Sequence, residues 1–517
     1  MNELSFAQFR TLSHQYNLIP ITRTLLADME TPIRVFHQFS EDPYAFLLES
    51  VEGGTNWARY SFIGMDPFLL VRGKSGVMEV EKQGFTTTHE DDPIHFLRKL
   101  LSNYHSPPME GFPRFMGGAV GFFGYDLLRY YEKTIPPHRI DDLCMADVQF
   151  MFCDQLIVFD HLKQQMLIVA NAHVPDHASD HELVSSYEQA IKKIEALIKR
   201  LTQPSFQTGI GFSNNTSLKT IPIQPEEVRS NVSKEDFLSN VQRAKEYIRA
   251  GDIFQVVLSQ RFEIKTDVSP IQVYRVLRIL NPSPYMYYLK MGQDRIVGTS
   301  PELLVRVENG TVATRPIAGT RPRGKTPEED KQFEKDLLSD EKELAEHLML
   351  VDLGRNDIGR VAVPGTVKVD AYMDIERYSH VMHIVSNVTG QLRNDRDFYD
   401  AFLSCMPAGT VSGAPKLRAM EIIAELENEA RGTYAGAIGY LGFSGNLDTC
   451  ITIRTIVFRN KKAYVQAGAG IVSDSIPEKE YEETFNKARG MLTAIRTAEK
   501  CFEEVAPPKG IVNQDYF

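Results

Sequence analysis

Two acidic strings on helix-patterned segments open the chemistry of this chain. In Asp340-Glu-Lys-Glu-Leu-Ala-Glu-His347, Leu344, Leu348 and Val351 recur at helical spacing. That predicts a helix with Leu344, Leu348 and Val351 buried and Glu343, Glu346 and His347 together on its flank, because positions three and four apart are neighbours. In Pro477-Glu-Lys-Glu-Tyr-Glu-Glu-Thr-Phe-Asn-Lys487, the stripe is Tyr481, Phe485, Ala488 and Leu492, with Glu480, Glu483 and Lys487 along one line beside it. Either string alone reads as a solvated face, and Glu483 with Lys487 as an i,i+4 pair worth about 0.2–0.5 kcal/mol. Together they admit a sharper reading, in which one carboxylate from each helix grips a hard cation. Mg²⁺ fits, since it takes one or two protein carboxylates and keeps other positions for water and substrate oxygens.

The segment before the second helix adds to this. Ala463–Ala467 reads as a strand, Gly468-Ala-Gly470 as a glycine turn, and Ser473-Asp-Ser-Ile-Pro477 as a cap and first helical turn. Exposed backbone N–H groups at such a turn suit a carboxylate, although a glycine turn also serves without a ligand. Arg454 is expected within the strand Ile451-Thr-Ile-Arg-Thr-Ile-Val457, pointing with Thr452 and Ile456. A guanidinium there needs an anionic partner, either a nearby glutamate or a substrate carboxylate held by both nitrogens. His380 and His383 lie i,i+3 in a helix or off-face in a strand; with no third ligand at metal spacing, acid–base work suits them better than zinc.

The positioning elements follow from periodicity. Helices are expected at Asp180–Leu201, Lys234–Ala250, Asp336–Val351, Lys416–Glu429 and Glu478–Lys500. Arg295–Val297 and Leu304–Val307 read as strands, and Asn309-Gly310 as a hairpin turn into Thr311–Arg315. Gly436–Phe443, Thr449–Phe458 and Ala463–Ala467 read as an antiparallel meander, their connections being too short for parallel crossovers. The class is α+β with large antiparallel β-sheets, which disfavours a doubly wound nucleotide fold. The polar segment 202–230 separates an N-terminal region, 1–201, from a C-terminal region, 231–505, with a tail at 506–517.

Composition bounds the rest. The 517 residues, 43% hydrophobic and 24% charged, describe a globular chain rather than a disordered one. A net charge of −11 argues against general affinity for nucleic acid or anionic membrane. Met1–Pro20 has no apolar core of a signal peptide, and no run approaches the ~20 apolar residues of a membrane helix. Five scattered cysteines without CxxC spacing fit a reduced, cytoplasmic protein.

Several long strings in one order carry a resemblance: Gly251-Asp-Ile-Phe-Gln-Val-Val257, Thr299-Ser-Pro-Glu302, Arg315-Pro-Ile-Ala-Gly-Thr-Arg321, Glu343 to Asp357, Pro407-Ala-Gly-Thr-Val-Ser-Gly-Ala-Pro415, and Gly468 to Lys487. With them the chain resembles the chorismate-utilising enzymes, and among these the component I family of anthranilate synthases. The resemblance implies two antiparallel sheets packed as a sandwich with surrounding helices. It implies Mg²⁺ held by Glu346 and Glu483, with Glu343 and Glu480 supporting the ion through its waters. Gly468, Ala469, Gly470 and Lys487 would address the ring carboxylate of chorismate, and Tyr434 and Arg454 the enolpyruvyl carboxylate. Gly319 and Thr320 would line the same pocket, Thr410 would orient substrate, Glu302 would protonate the departing 4-hydroxyl, and His383 would serve pyruvate release. A hydroxyl leaves poorly, so an acid kept protonated by burial makes chemical sense.

Two positions separate the relatives. Isochorismate and salicylate synthases place a lysine where Gln255 stands, to activate water; Gln255 cannot act as a base, which favours ammonia. Aminodeoxychorismate synthases carry a nucleophilic lysine where Ala318 stands. Leu47-Leu-Glu-Ser50 and Asn281-Pro-Ser-Pro-Tyr-Met-Tyr287 resemble the feedback site for L-tryptophan, with Glu49, Ser50, Pro284, Tyr285 and Met286 as contacts; Tyr287 departs from the more usual phenylalanine. No cysteine sits in a glutaminase setting, so the resemblance implies ammonia from a glutamine amidotransferase partner, in a heterotetramer with two of each subunit. The competing readings are aminodeoxychorismate synthase component I and a non-catalytic subunit that binds chorismate or tryptophan.

Overall fold

The computed structural model describes residues 4–50, 59–203, 220–378 and 381–502. His380, the 506–517 tail and most of the 202–230 segment lie outside them. Alternating apolar residues build two large antiparallel sheets of 12 strands each. In the first sheet, Ala45, Leu47, Ile63 and Ile157 face one way and Phe46, Phe62, Leu156 and Val158 the other, as the two-residue period of a strand requires. Phe46, Phe62 and Tyr287 of this sheet pack with Val120, Phe122 and Tyr440 of the second. The sheets thus form the expected sandwich, and its inner core is largely aromatic.

Helices cover both outer faces. Asp180–Leu201, Pro270–Leu280 and Pro477–Cys501 pack on the first sheet. Pro93–Leu101, Glu341–Gly359 and Phe398–Cys405 pack on the second, while Lys416–Leu426 packs against Gln255–Lys265 of the first. Both sheets take strands from either side of the polar segment. Tyr44–Glu49 pairs with Tyr285–Met291 in the first, and Gly118–Phe123 with Ala437–Gly442 in the second.

Most expected elements are present: the helices Asp180–Leu201 and Lys234–Ala250 match to the residue, and Asn309 and Gly310 both have positive φ, as the hairpin turn needs. Four expectations are corrected. The helix expected over Asp336–Val351 is two helices, Pro327–Ser339 and Glu341–Gly359, split where the Asp340 side chain caps the second by accepting from the Lys342 and Glu343 N–H groups. The buried face of that second helix is His347, Leu350 and Val351, while Leu348 is exposed. The three-strand meander is two hairpins in different sheets. The strand expected over Thr449–Phe458 divides into Leu447–Ile451 of the second sheet and Thr455–Arg459 of the first. Finally, Gly468-Ala-Gly470 is not a turn but the continuation of the strand Lys462–Ile471.

Candidate active site

A cavity of about 330 Å³ opens where the corner between the two sheets meets the ends of two helices. That is within the range of small-molecule sites. Its floor is the ladder of Gln255–Lys265 on Lys462–Ile471, in which Gly470 faces Val257 and Gly468 faces Ser259. Gln255, Gln466, Gly468 and Gly470 line the cavity, whereas Ala469 points to the opposite face and is fully buried in the core. The glycines are there for closeness, not for turning. A Cβ on Gly468 would stand 2.7 Å from Tyr434 Oη, and one on Gly470 2.6 Å from Gln255 Nε2.

The two acidic helices reach this floor from different sides. Glu346 comes from Glu341–Gly359, and Glu480, Glu483 and Lys487 from Pro477–Cys501. Burial and the charge of Glu343 raise the pKa of Glu346, and Glu483 adds to the rise. Glu480 is raised by burial and by Glu483, against a hydrogen bond from Ser475. Carboxylates that push up one another's pKa lack counter-charge. Lys487 supplies part of it, its Nζ lying 2.8 Å from Glu483 Oε1 and 3.1 Å from Gly468 O. Among the described residues no three His, Cys, Asp or Glu side chains close around one point. Two helix carboxylates on an open cavity suit Mg²⁺, which keeps waters, better than a fully protein-ligated ion. Glu343 lies just outside the cavity lining and accepts from Arg321, 3.4 Å away. His347, expected on the acidic flank, is fully buried and 2.7 Å from Ser386 Oγ. Burial lowers its pKa to about 4, so the ring is neutral.

Arg454 owes its place to the corner between the sheets. The residue has φ +52°, and its carbonyl accepts the Thr299 N–H at 3.1 Å. Its guanidinium lines the cavity, and burial lowers its pKa. Among the described residues no carboxylate lies within ion-pair distance of it. Opposite stands Glu302, between two strands of different sheets, with Thr410 Oγ1 donating to its Oε1 at 3.1 Å. Burial pushes the Glu302 carboxyl up to about 8, overcoming Thr410 and Lys487. Tyr434 completes that wall and is raised by burial to about 12.

Thr320 also lines the cavity, and His383 stands behind it. His383 Nδ1 is 3.1 Å from Thr320 Oγ1 and 3.0 Å from the Gly319 carbonyl. Gly319, at φ +66°, lies where a Cβ would meet Leu337 and the Glu343 carboxylate. The cavity thus brings together Gln255, Glu302, Thr320, Glu346, Thr410, Tyr434, Arg454, Gly468, Gly470, Glu480, Glu483 and Lys487. Gly319, Glu343, His383 and Ala469 sit one layer back. Sequence reasoning missed Lys342, Ile453, Gln466 and Ser475, which also line it. Two left a signal: Lys342 is i,i+4 with Glu346, and Gln466 is i,i+2 with Gly468 on a strand.

A second cavity lies inside the sandwich. Glu49, Ser50, Pro284, Tyr285 and Met286 line it, together with Tyr287, Arg114, Arg306, Tyr440, Asp448 and Cys450. The pairing of Glu49 with Met286 brings the two sequence strings together. Burial raises the pKa of Glu49, although the Tyr274 hydroxyl donates to it at 2.7 Å and Arg278 lies 3.0 Å away. Ser50 Oγ is buried with no hydrogen-bond partner among the described residues, an unmet polar atom that a ligand would satisfy.

Residues 45–493 match the family described as chorismate binding enzyme. Anthranilate synthase component 1 from Acetivibrio thermocellus is 53% identical over 493 residues, which is 95% of this chain and 98% of that protein. The protein of the same name from Aquifex aeolicus (strain VF5) is 48% identical, over 97% of this chain and 99% of that one. Among solved structures, anthranilate synthase component I from Streptococcus pneumoniae TIGR4 superposes with a TM-score of 0.73 at 40% identity, covering 86% of this chain and 94% of that one.

Proposed function

The chain belongs to the chorismate binding enzyme family, and from that premise we propose that it is the enzyme that aminates chorismate at C2 and releases pyruvate to give anthranilate, the first step toward tryptophan. The observation that carries this reading is one cavity holding a buried carboxyl at Glu302 whose pKa burial raises, a guanidinium at Arg454 with no carboxylate partner among the described residues, and the carboxylates of two helices. Chorismate carries two carboxylates, which a purely acidic cavity would repel. Glu346 and Glu483 would hold Mg²⁺, with Glu343 and Glu480 supporting its waters, and the ion would supply positive charge for the ring carboxylate.

The chain's own residues do the rest. Arg454 and Tyr434 bind the enolpyruvyl carboxylate, the guanidinium through paired N–H donors. Lys487 and the Gly468–Gly470 backbone take the ring carboxylate, where a side chain at either glycine would block it. Ammonia forms the C2–N bond on the Gln255 side as the C4–O bond breaks. Glu302 gives its proton to the departing oxygen, which leaves as water, and the new ammonium group sheds a proton. Thr410 holds the Glu302 carboxyl in line through its hydrogen bond. His383, behind Thr320, serves the second half-reaction, in which C2 loses its proton, the enolpyruvyl group leaves as pyruvate and the ring becomes aromatic.

Ammonia comes from a glutamine amidotransferase subunit, two copies of each chain making the assembly. L-tryptophan enters the cavity inside the sandwich as feedback inhibitor, with Glu49 and Ser50 facing Pro284–Met286 across the paired strands. The test is incubation of the purified chain with chorismate, ammonium and Mg²⁺. Anthranilate and pyruvate are expected; a 4-amino product or salicylate would move the chain to another branch of the family, and no product would leave it a binding subunit.

A further inference from the structure

Two neighbouring strands run between the cavity inside the sandwich and the candidate active site. Leu303–Glu308 begins immediately after Glu302 and carries Arg306; Leu447–Ile451 carries Asp448 and ends immediately before the corner that presents Arg454. They are paired, with Arg306 directly opposite Asp448. At one end, in the wall of the inner cavity, Arg306 Nε donates to Asp448 Oδ2 at 2.9 Å, and the Tyr285 hydroxyl donates to Asp448 Oδ1 at 2.9 Å. Arg306 also reaches Tyr285 Oη at 3.0 Å, and Arg114 stands 3.8 Å from Asp448. The carboxylate is therefore gripped by groups from two strands, with the loop residue Arg114 nearby.

The other end is equally tied. The Ile451 N–H donates to the Glu302 carbonyl at 3.0 Å, the Ser300 hydroxyl donates to the Ile451 carbonyl at 2.7 Å, and the Thr299 N–H donates to the Arg454 carbonyl at 3.1 Å. Arg306 lies four positions beyond Glu302, about 13 Å at strand rise, and Asp448 lies three positions before Ile451, where its strand ends at the corner. The proton donor and the anion-binding arginine thus hang from one end of a ladder pinned at its other end by a buried ion pair. The Leu303–Val305 register shift lies between the two ends, which gives the ladder a place to flex.

We infer that the Arg306–Asp448 pair is the positioning element through which occupancy of the inner cavity is felt at Glu302 and Arg454. A ligand wedged against Tyr285 must re-aim the groups that hold Asp448, and the strand ends follow because hydrogen bonds tie the two strands together on both sides of the register shift. This rests on the reading that the inner cavity takes L-tryptophan, and it adds the route by which binding there alters chorismate binding. Neither residue touches chorismate. Coupling of this kind is reciprocal, so each ligand weakens the other by the same factor.

The experiment uses the full chain. With ammonia withheld so that chorismate is not turned over, calorimetry measures tryptophan affinity with and without chorismate and chorismate affinity with and without saturating tryptophan; turnover with ammonia then confirms that each variant is active. In the unaltered chain each ligand should weaken the other by the same factor, about tenfold or more, within the ordinary range of coupling. In Asp448→Asn that factor should fall toward one while tryptophan still binds. Tyr285→Phe, which removes only one brace of the pair, should give an intermediate factor and guards against a misfolded first variant. Both variants retaining the full factor would overturn the inference. An unaltered chain that makes anthranilate but binds no tryptophan would overturn the pocket reading, leaving the catalytic assignment standing.

Discussion

As the proposed general acid, Glu302 acts only while it carries a proton, and burial favours the protonated form. Burial raises its pKa to about 8, because the charged form loses more hydration than Thr410 and Lys487 return. Below that pH the acid is loaded, so turnover should hold through neutrality and fall about tenfold per pH unit above about 8. Glu302→Gln should lose about 10²–10⁴-fold in kcat, the usual share of general acid catalysis, and flatten that limb. The sign for stability follows from the same shift. A carboxyl raised in the folded state stabilises least once pH passes its folded pKa, so Glu302→Gln should melt higher than the native chain at pH 9. A fall in turnover that begins near pH 5 in place of 8, or a variant that melts lower at pH 9, would remove Glu302 from the role. At this scale the sequence supplied residue types but not environments. Spacing cannot distinguish Glu302 from a surface acid, and only the resemblance singled it out. Arg454 was open between a structural glutamate and a substrate carboxylate, and the structure pairs it with no glutamate among the described residues.

The elements that carry these residues were legible where a local pattern decides them. The helices Lys234–Ala250 and Pro477–Cys501 follow their apolar periodicity, and Asp340 with Glu343 is a cap signal that could have split the Asp336–Val351 helix in advance. The corner at Thr452–Arg454 had no such signal. Apolar alternation runs through it without Gly or Pro, and the change of sheet is imposed by tertiary hydrogen bonds to Gly436 and Thr299. Gly468 and Gly470 misled in the other direction, since glycine suggests a turn but here thins a strand so that Tyr434 and Gln255 can close over it. The two should answer differently to alanine. At Gly470 the new methyl meets only the far end of Gln255, so the fold should survive with little change in melting temperature while kcat/KM drops about tenfold or more from a displaced wall. At Gly468 it meets Val257 and the Leu258 carbonyl as well as Tyr434, and overpacking of about 1–3 kcal/mol should appear in thermal melts. Equal melting temperatures for the two variants would mean that the floor is softer than this packing implies.

For the molecule as a whole, the polar stretch at 202–230 marks a seam in the sequence, yet nothing local announces what the segments on either side share. Tyr44–Glu49 lies between Tyr60–Met65 and Tyr285–Met291, and Gly118–Phe123 lies between Val148–Cys153 and Ala437–Gly442. Such pairings join residues remote in sequence, and they are chosen by the inner aromatic core and not by propensity. One consequence is that the inner cavity cannot form from either segment alone, because Glu49 comes from one and Met286 and Asp448 from the other. A second consequence concerns solubility. Residues 220–517 expressed alone would leave Tyr285–Met291 and Ala437–Gly442 as bare sheet edges beside an uncovered apolar face, a strong template for aggregation. Residues 4–203 alone would expose the matching edges of Tyr44–Glu49 and Gly118–Phe123. Each fragment should therefore aggregate when produced by itself, and the two produced together should elute as one complex with anthranilate-forming activity, since the edges they present are complementary in register. Size-exclusion chromatography of the three preparations decides it. A soluble, monomeric 220–517 fragment with full activity would show that the catalytic cavity does not depend on strands contributed from across the seam.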